Sequence, residues 1–284
     1  MTAPPGTPLH RRIHAYYAHS ARRYGSYLDG AKHFGFHPEG RRINEAQARA
    51  LLHDQVIARG RIGAGDRVLD AGCGTGYVAC DIAAKTGAHI DGIDIVDFEI
   101  EKARARASRQ GVADLTAFQV MDYSATRFPD ARFDVVYTTE TLSHASDLDR
   151  SLREFHRVLR PGGRLVLCEY SVAEEAAFTP REWDLFNRIA EGSAMVGLRR
   201  IRHDLFTGRL AAAGFAQAAE EDITANMLPS LQWLRRLALL PYYLVTWPLG
   251  RQFHNPNRSA AVVYCAMTEK GLIRYNIYTA VKPG

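Results

Sequence analysis

At 284 residues the chain has room for one substantial domain with additions, and its 46% apolar and 24% charged residues exclude a disordered or membrane-embedded protein as the starting point. The net charge of +5 comes from 31 Arg against five Lys, scattered without helix-turn-helix, RNA-binding sheet or zinc-finger spacing. Nucleic acid is therefore set aside, and an anionic small molecule stays open. Cys73, Cys80, Cys168 and Cys265 lie far apart with no zinc or redox spacing, which points to a reducing, cytoplasmic setting. The opening "MTAPPGTPLHRR" has no apolar core for a signal peptide, and the greasiest stretch, 228–250, is broken by two arginines and three prolines, so stable membrane insertion is not expected.

In chain order, residues 1–60 are expected to form a helical cap. "HRRIHAYYAHSARRYGSYL" brings Ile13, Tyr16 and Tyr17 near one face, and "INEAQARALLHDQVIARG" repeats the helical spacing and closes at Gly60. From 61 to 284 short apolar runs alternate with helices: "RVLDAG", "HIDGIDI", "TAFQVM", "FDVVYT" and "GRLVLCEYS". That alternation predicts an α/β fold with a parallel, doubly wound sheet. The helix "LDRSLREFHRVL" is expected to run to Arg160, where "PGG" breaks it. "AAAGFAQAAEEDIT" reads as a helix end and a sixth strand, and "LIRYNIYTAVKP" as a closing strand. Two segments break the alternation, at about 172–202 and 223–262, and are expected to be helical lid insertions over one edge of the sheet.

"VLDAGCGTGYVA" (68–79) is a strand entering a glycine-rich turn and then a helix. A dinucleotide fingerprint would be GxGxxG; here the third glycine comes one position early and Asp70 precedes the turn. A pyrophosphate at a helix N-terminus wants no neighbouring carboxylate, whereas an ammonium or sulfonium group would welcome one. Asp94 ends the next strand, where a ribose diol is gripped, and Asp122 ends the one after, placed to accept from an exocyclic amine. Three strand-end acids suit a nucleoside with a positive tail.

On these residues the segment 66–170 resembles a class I S-adenosylmethionine-dependent methyltransferase, which implies a Rossmann-like seven-stranded sheet and that cofactor. By the resemblance Asp70, Gly72 and Gly74 would meet the methionine part, Asp94 with Ile95 the ribose, and Asp122 with Tyr123 the adenine. Further segments are similar to the sterol C24-methyltransferase group and its relatives that methylate isoprenoid double bonds. They are Tyr16-Tyr17, the cluster Phe34 to His37, Glu140 followed by His144-Ala145 in "TTETLSHA", and Glu169-Tyr170 in "CEYSV". The group's Trp-Gly before the His cluster is replaced here by "AKHFG".

The resemblance implies methyl transfer to an alkene carbon of an isoprenoid, either a prenyl diphosphate or a prenylated small metabolite, through a carbocation that is deprotonated, rearranged or cyclised. Such a cation needs a dry site with aromatic walls and a base to end the reaction. Glu169 is the first choice for that base, with Glu140 and His144 second. Glu140 could instead hold the methionine amine or order the wall, and His144 could partner it or relay a proton. Tyr16 and Tyr17 could face the cation or pack the cap. The 223–262 segment, with Trp233, Tyr242, Tyr243, Trp247 and Phe253, reads as a packed lid or as a greasy entrance. Arg199, Arg200 and Arg202 could hold a diphosphate or form a solvated face. No metal site is legible from spacing, and Mg²⁺ is expected only alongside a diphosphate. The expected partner is a hydrophobic small molecule, with homo-oligomer formation through the cap left open. O- or N-methylation of a natural product and a non-catalytic cofactor-binding subunit are the rival readings.

Overall fold

The computed structural model describes residues 7–27, 31–246, 248–249 and 256–284, with only the backbone course given for 20–27. Seven strands form one sheet in the order β3-β2-β1-β4-β5-β7-β6. They are β1 (Arg67–Ala71), β2 (His89–Asp94), β3 (Thr116–Val120), β4 (Phe133–Thr139), β5 (Leu159–Val172), β6 (Ala216–Asp222) and β7 (Ile273–Val281). Because strand side chains alternate between faces, Val68, Val135, Val166 and Ile277 build one core. Leu69, Val136, Leu165 and Tyr278 build the other.

Two cap helices come first, α1 (Pro8–Tyr27) and α2 (Glu45–Gly60). Asn44 starts α2 by accepting from the amides of Ala46 and Gln47, at 2.9 and 3.4 Å. The left-handed residue that ends α2 is Arg61, with φ +47°, in place of the expected Gly60, which stays helical and packs beside Val135 of β4. Helices α3 (Tyr77–Thr86) and α4 (Asp97–Gln110) join α2 on the first face, while α5 (Leu148–Val158) and, after α6 (Pro180–Gly192), α7 (Phe206–Ala212) cover the second. The α5 helix stops two residues before Arg160, because a residue preceding proline avoids helical ψ, and the Pro-Gly-Gly run enters β5.

The parallel pairing expected from the alternation holds from β1 to β5 and gives way at β7, which runs antiparallel to both β5 and β6. After β6 the chain does not cross back to the amino edge. It stays at the carboxyl edge through α8 (Thr224–Pro241) and α9 (Pro256–Glu269), so the next strand must enter from the top. The helical stretch between β6 and β7 thus runs on to Glu269, past the expected 262. Trp247 and Phe253 lie outside the described residues. No helix among them is long and apolar enough to cross a membrane.

Candidate active site

The chain order reverses direction at β1, leaving a crevice at the carboxyl ends of β1 and β4, where open α/β sheets bind ligands. The turn after β1 needs glycine twice. At Gly72, φ is +92° and a Cβ would lie 2.5 Å from Thr141, so packing fixes that position. At Gly74, φ is +50° and only the Lys32 stem comes within 4.0 Å of a built Cβ. The turn thus offers bare backbone to a cavity lined by Asp70, Gly72, Gly74, Asp94, Ile95, Asp122 and Tyr123. All seven positions picked from the sequence share this cavity.

Their bonding differs. Asp70 is 2% exposed; burial pushes its carboxyl up to about 7, against the pull of the neighbouring Tyr137 hydroxyl. Asp94 accepts from the amides of Gly74 and Val96 at 3.0 and 2.9 Å, and burial raises its pKa against the pull of Lys32. Asp122 accepts from the Ser124 amide at 2.7 Å and meets His10 Nε2 of α1 at 3.1 Å. The Tyr123 hydroxyl donates to the Thr141 carbonyl at 3.1 Å.

A second cavity of about 460 Å³ adjoins the first and is walled by Tyr16, Phe34, Tyr170, Leu231, Trp233 and Tyr264 among others. Tyr17, Lys32, His33, Glu140 and His144 line both cavities and form the divide between them. Glu140 sits past the end of β4 in left-handed backbone, φ +57°, a strained conformation for a non-glycine residue. Its Oε1 accepts from the Phe34 amide at 2.8 Å and the Tyr275 hydroxyl at 3.0 Å, and its Oε2 from the Tyr170 hydroxyl at 2.7 Å. Burial pushes this carboxyl up to about 7. His144 Nδ1 donates to the Ala194 carbonyl at 3.0 Å, which leaves Nε2 to accept from the Tyr17 hydroxyl at 3.1 Å. Burial lowers its pKa to about 4, so the ring is neutral at pH 7. Tyr16 packs edge-on to Tyr17 with centroids 5.1 Å apart and donates to Asn257.

Two expectations are placed elsewhere. Glu169 lines neither cavity; it is fully buried, accepting from the Ser143 and Tyr170 amides at 3.0 Å each. Strand alternation is the reason, since it turns Tyr170 to the cavity side and Glu169 to the opposite face. Arg199, Arg200 and Arg202 also stand off the cavity, with Arg200 donating to the Ser146 carbonyl and Arg202 to that of Ala173. In the 223–262 segment Trp233 lines the cavity, Tyr242 is buried, and Tyr243 is exposed.

A sequence profile described as a methyltransferase domain matches residues 62–221. The chain is 32% identical over 246 residues, 83% of each chain, to the S-adenosyl-L-methionine-dependent Diels-Alderase iccD of Talaromyces variabilis. The chain belongs to the S-adenosylmethionine-dependent methyltransferases. It is also 32% identical to the sterol 24-C-methyltransferase ERG6B of Gibberella zeae, over 71% of this chain and 52% of that one, so it spans about half the length of that relative. Among solved structures, the [4+2]-cyclase SpnF superposes with a TM-score of 0.79 at 26% identity, covering 99% of both chains.

The methyltransferase's first cavity suits its family's cofactor. Asp70, buried at the cavity wall, would accept from an ammonium group, and the open face of Gly74 leaves room for a ligand to lie on the turn. Sequence reasoning missed Lys32, Arg49 and Tyr275. Lys32 Nζ lies 2.9 Å from Glu99 and 4.0 Å from the centre of the Tyr17 ring, and burial lowers its pKa. Its only signal was its place in "AKHFG", where the sterol group's Trp-Gly is absent. His33 is held through His53, at 3.1 Å, to Asp81, at 2.6 Å, which ties the divide to α2 and α3.

Proposed function

We propose that this methyltransferase adds a methyl group to an alkene carbon of a hydrophobic isoprenoid. The observation that carries the reading is Glu140, a carboxylate on the divide between the two cavities, ringed by tyrosines and facing an aromatic-walled chamber. S-adenosylmethionine, when bound in the first cavity, supplies an electrophilic methyl. Asp70, Asp94 and Asp122 would hold it, at its ammonium, ribose and adenine respectively.

An alkene that takes a methyl leaves positive charge on its more substituted carbon, and water would quench it. Tyr16, Tyr17, Phe34 and Tyr170 present ring faces or edges to the chamber, and a well-placed ring face is worth about 0.5–2 kcal/mol to a neighbouring cation. Leu231, Trp233 and Tyr264 keep the chamber apolar. Glu140 Oε2 accepts a single hydrogen bond, from Tyr170, so a lone pair remains to take the proton whose departure restores a double bond. A carboxyl raised to about 7 is poised for that transfer near neutral pH. Glu169, sealed behind the strand, supports the wall through Ser143. A diphosphate-bearing substrate would bring Mg²⁺ with it.

A second reading is cyclisation without net methylation. It is favoured by Lys32, which keeps an ammonium on the divide where a sulfonium would come close, and by the cyclase names of two similar proteins. One experiment separates the readings. Purified protein is incubated with methyl-labelled S-adenosylmethionine and prenyl diphosphates, prenylated indoles and phenols, and sterols, and product mass and carbon connectivity are read. Label on carbon is expected. Label on oxygen or nitrogen alone would overturn carbon methylation, and an unlabelled isomer formed only with cofactor present would establish cyclisation.

A further inference from the structure

The second cavity contains one charge that alkene chemistry leaves unused. Arg49, on α2, is 5% exposed and lines this cavity. Its Nε is buried without a hydrogen-bond partner, and the Tyr77 ring lies 5.9 Å from the guanidinium carbon. A guanidinium does not shed its proton to escape burial. Leaving a buried charge uncompensated is strongly destabilising, and among the described residues no carboxylate lies within ion-pair distance of this one.

The other cations on this wall are committed. Lys32 is paired with Glu99, and Arg258 donates to Thr246 at 2.9 Å. One turn before Arg49, Glu45 also lines the cavity, with Oε1 buried and lacking a hydrogen-bond partner while Oε2 accepts from Ser230 at 2.8 Å. No ion pair within 4.0 Å joins Glu45 to Arg49 among the described residues. The cavity therefore has a polar end with one unanswered cation and a nearby carboxylate that repels excess negative charge. Leu231, Trp233, Leu234 and Leu237 of α8 form an apolar stretch of the same cavity.

We propose that Arg49 anchors a monoanionic, planar head group with two acceptor oxygens, a carboxylate or its equivalent, at the end of an otherwise apolar substrate. A carboxylate matches the fork of a guanidinium in two parallel hydrogen bonds. A diphosphate would bring more charge than one cation answers, next to Glu45. The proposal rests on the second cavity being the substrate site, and it narrows the substrate from any isoprenoid to an acidic one, setting sterol alcohols aside.

The test is a binding titration by calorimetry on the full chain with S-adenosylhomocysteine present. The probes are geranic and farnesoic acids, the matching alcohols geraniol and farnesol, and the matching diphosphates. The acids are expected to bind at least about tenfold more tightly than the alcohols, the scale of one charge-assisted pair. Arg49→Met should erase that gap and leave alcohol affinity unchanged, while the melting temperature of the unliganded variant stays level or rises. Equal binding of acid and alcohol, an acid preference that survives Arg49→Met, or tighter binding of the diphosphate would each overturn the proposal. So would a variant that melts lower and loses acid and alcohol alike, since that marks a structural arginine. Binding is read without turnover, so carbon methylation of a neutral alkene with no acid preference would sink the Arg49 role and leave the alkene chemistry standing.

Discussion

Around the first cavity a short run of sheet edge carries Asp70, Gly72, Gly74 and Asp94 on β1, β2 and the turn between β1 and α3, while α1, Lys32, His33 and the ends of β3 and β4 close the rest. Around the second, the wall is pooled from α1, the 31–37 loop, α2, the ends of β4 and β5, α8 and α9. A strand, turn and helix in sequence can be set by local backbone rules, and changing one residue there disturbs all its neighbours. A pooled wall can exchange one segment while the rest stands. Two similar proteins carry names as different as Diels-Alderase and sterol methyltransferase.

Substitutions on either side of the divide should separate along the same line. The largest effect is expected for Glu140→Gln, which removes the proposed proton acceptor while keeping its shape. Turnover should fall by roughly 10²–10⁴, the usual share of a general base, with cofactor affinity unchanged in calorimetry; wild-type turnover would remove Glu140 from the chemistry. Asp94→Ala should do the reverse, weakening cofactor binding by about 1–3 kcal/mol, the cost of a lost hydrogen bond to a charged group. An unaltered affinity would sink the ribose assignment.

Smaller and more diagnostic is Tyr17→Phe, which keeps the ring and deletes the hydroxyl that meets His144. A loss of roughly 0.5–1.5 kcal/mol in kcat/KM is expected. If turnover collapses instead, the hydroxyl belongs to the proton path.

The smallest effect concerns pH. Burial raises the Glu169 carboxyl from 4.5 to about 8, so the folded chain keeps a proton that the unfolded chain releases, and stability falls as pH rises through that window. Glu140 and Asp70, both raised to about 7, act in the same direction. Glu169→Gln removes one contribution, and its urea midpoint should decline less steeply than the wild-type midpoint between about pH 5 and pH 8. Parallel slopes would mean that Glu169 is ionised in the folded protein.

The parts that could be read from the chain are those with a short-range cause. Strand periodicity located all seven strands, and the glycine spacing with its following acids located the first cavity. The direction of β7 could not be read, because it depends on where α8 and α9 run after β6, a matter of packing. Glu169 and Glu140 looked alike as strand-end acids. Only the alternation along β5, and the left-handed turn that re-aims Glu140, tell which one meets a cavity. Arg49 was overlooked among 31 arginines, though its place beside Ala48 and Leu52 on the buried stripe of α2 was the available signal. Tyr275 gave none, since its role arises from pairing opposite Tyr170.

The placement of β7 has a consequence for biosynthesis. It is the last of the seven strands to leave the ribosome, yet it sits inside the sheet, and among the described residues β6 has no other strand to pair with. A nascent chain can complete the glycine turn and the first five strands early, but the outer sheet must wait for β7. Tyr275, carried on that strand, is one of the hydroxyls that hold Glu140. A fragment that stops before β7 would keep the Asp70, Gly72 and Gly74 turn while Glu140 lacks one of its two tyrosine hydroxyls, so the setting of Glu140 is complete only once β7 has been made.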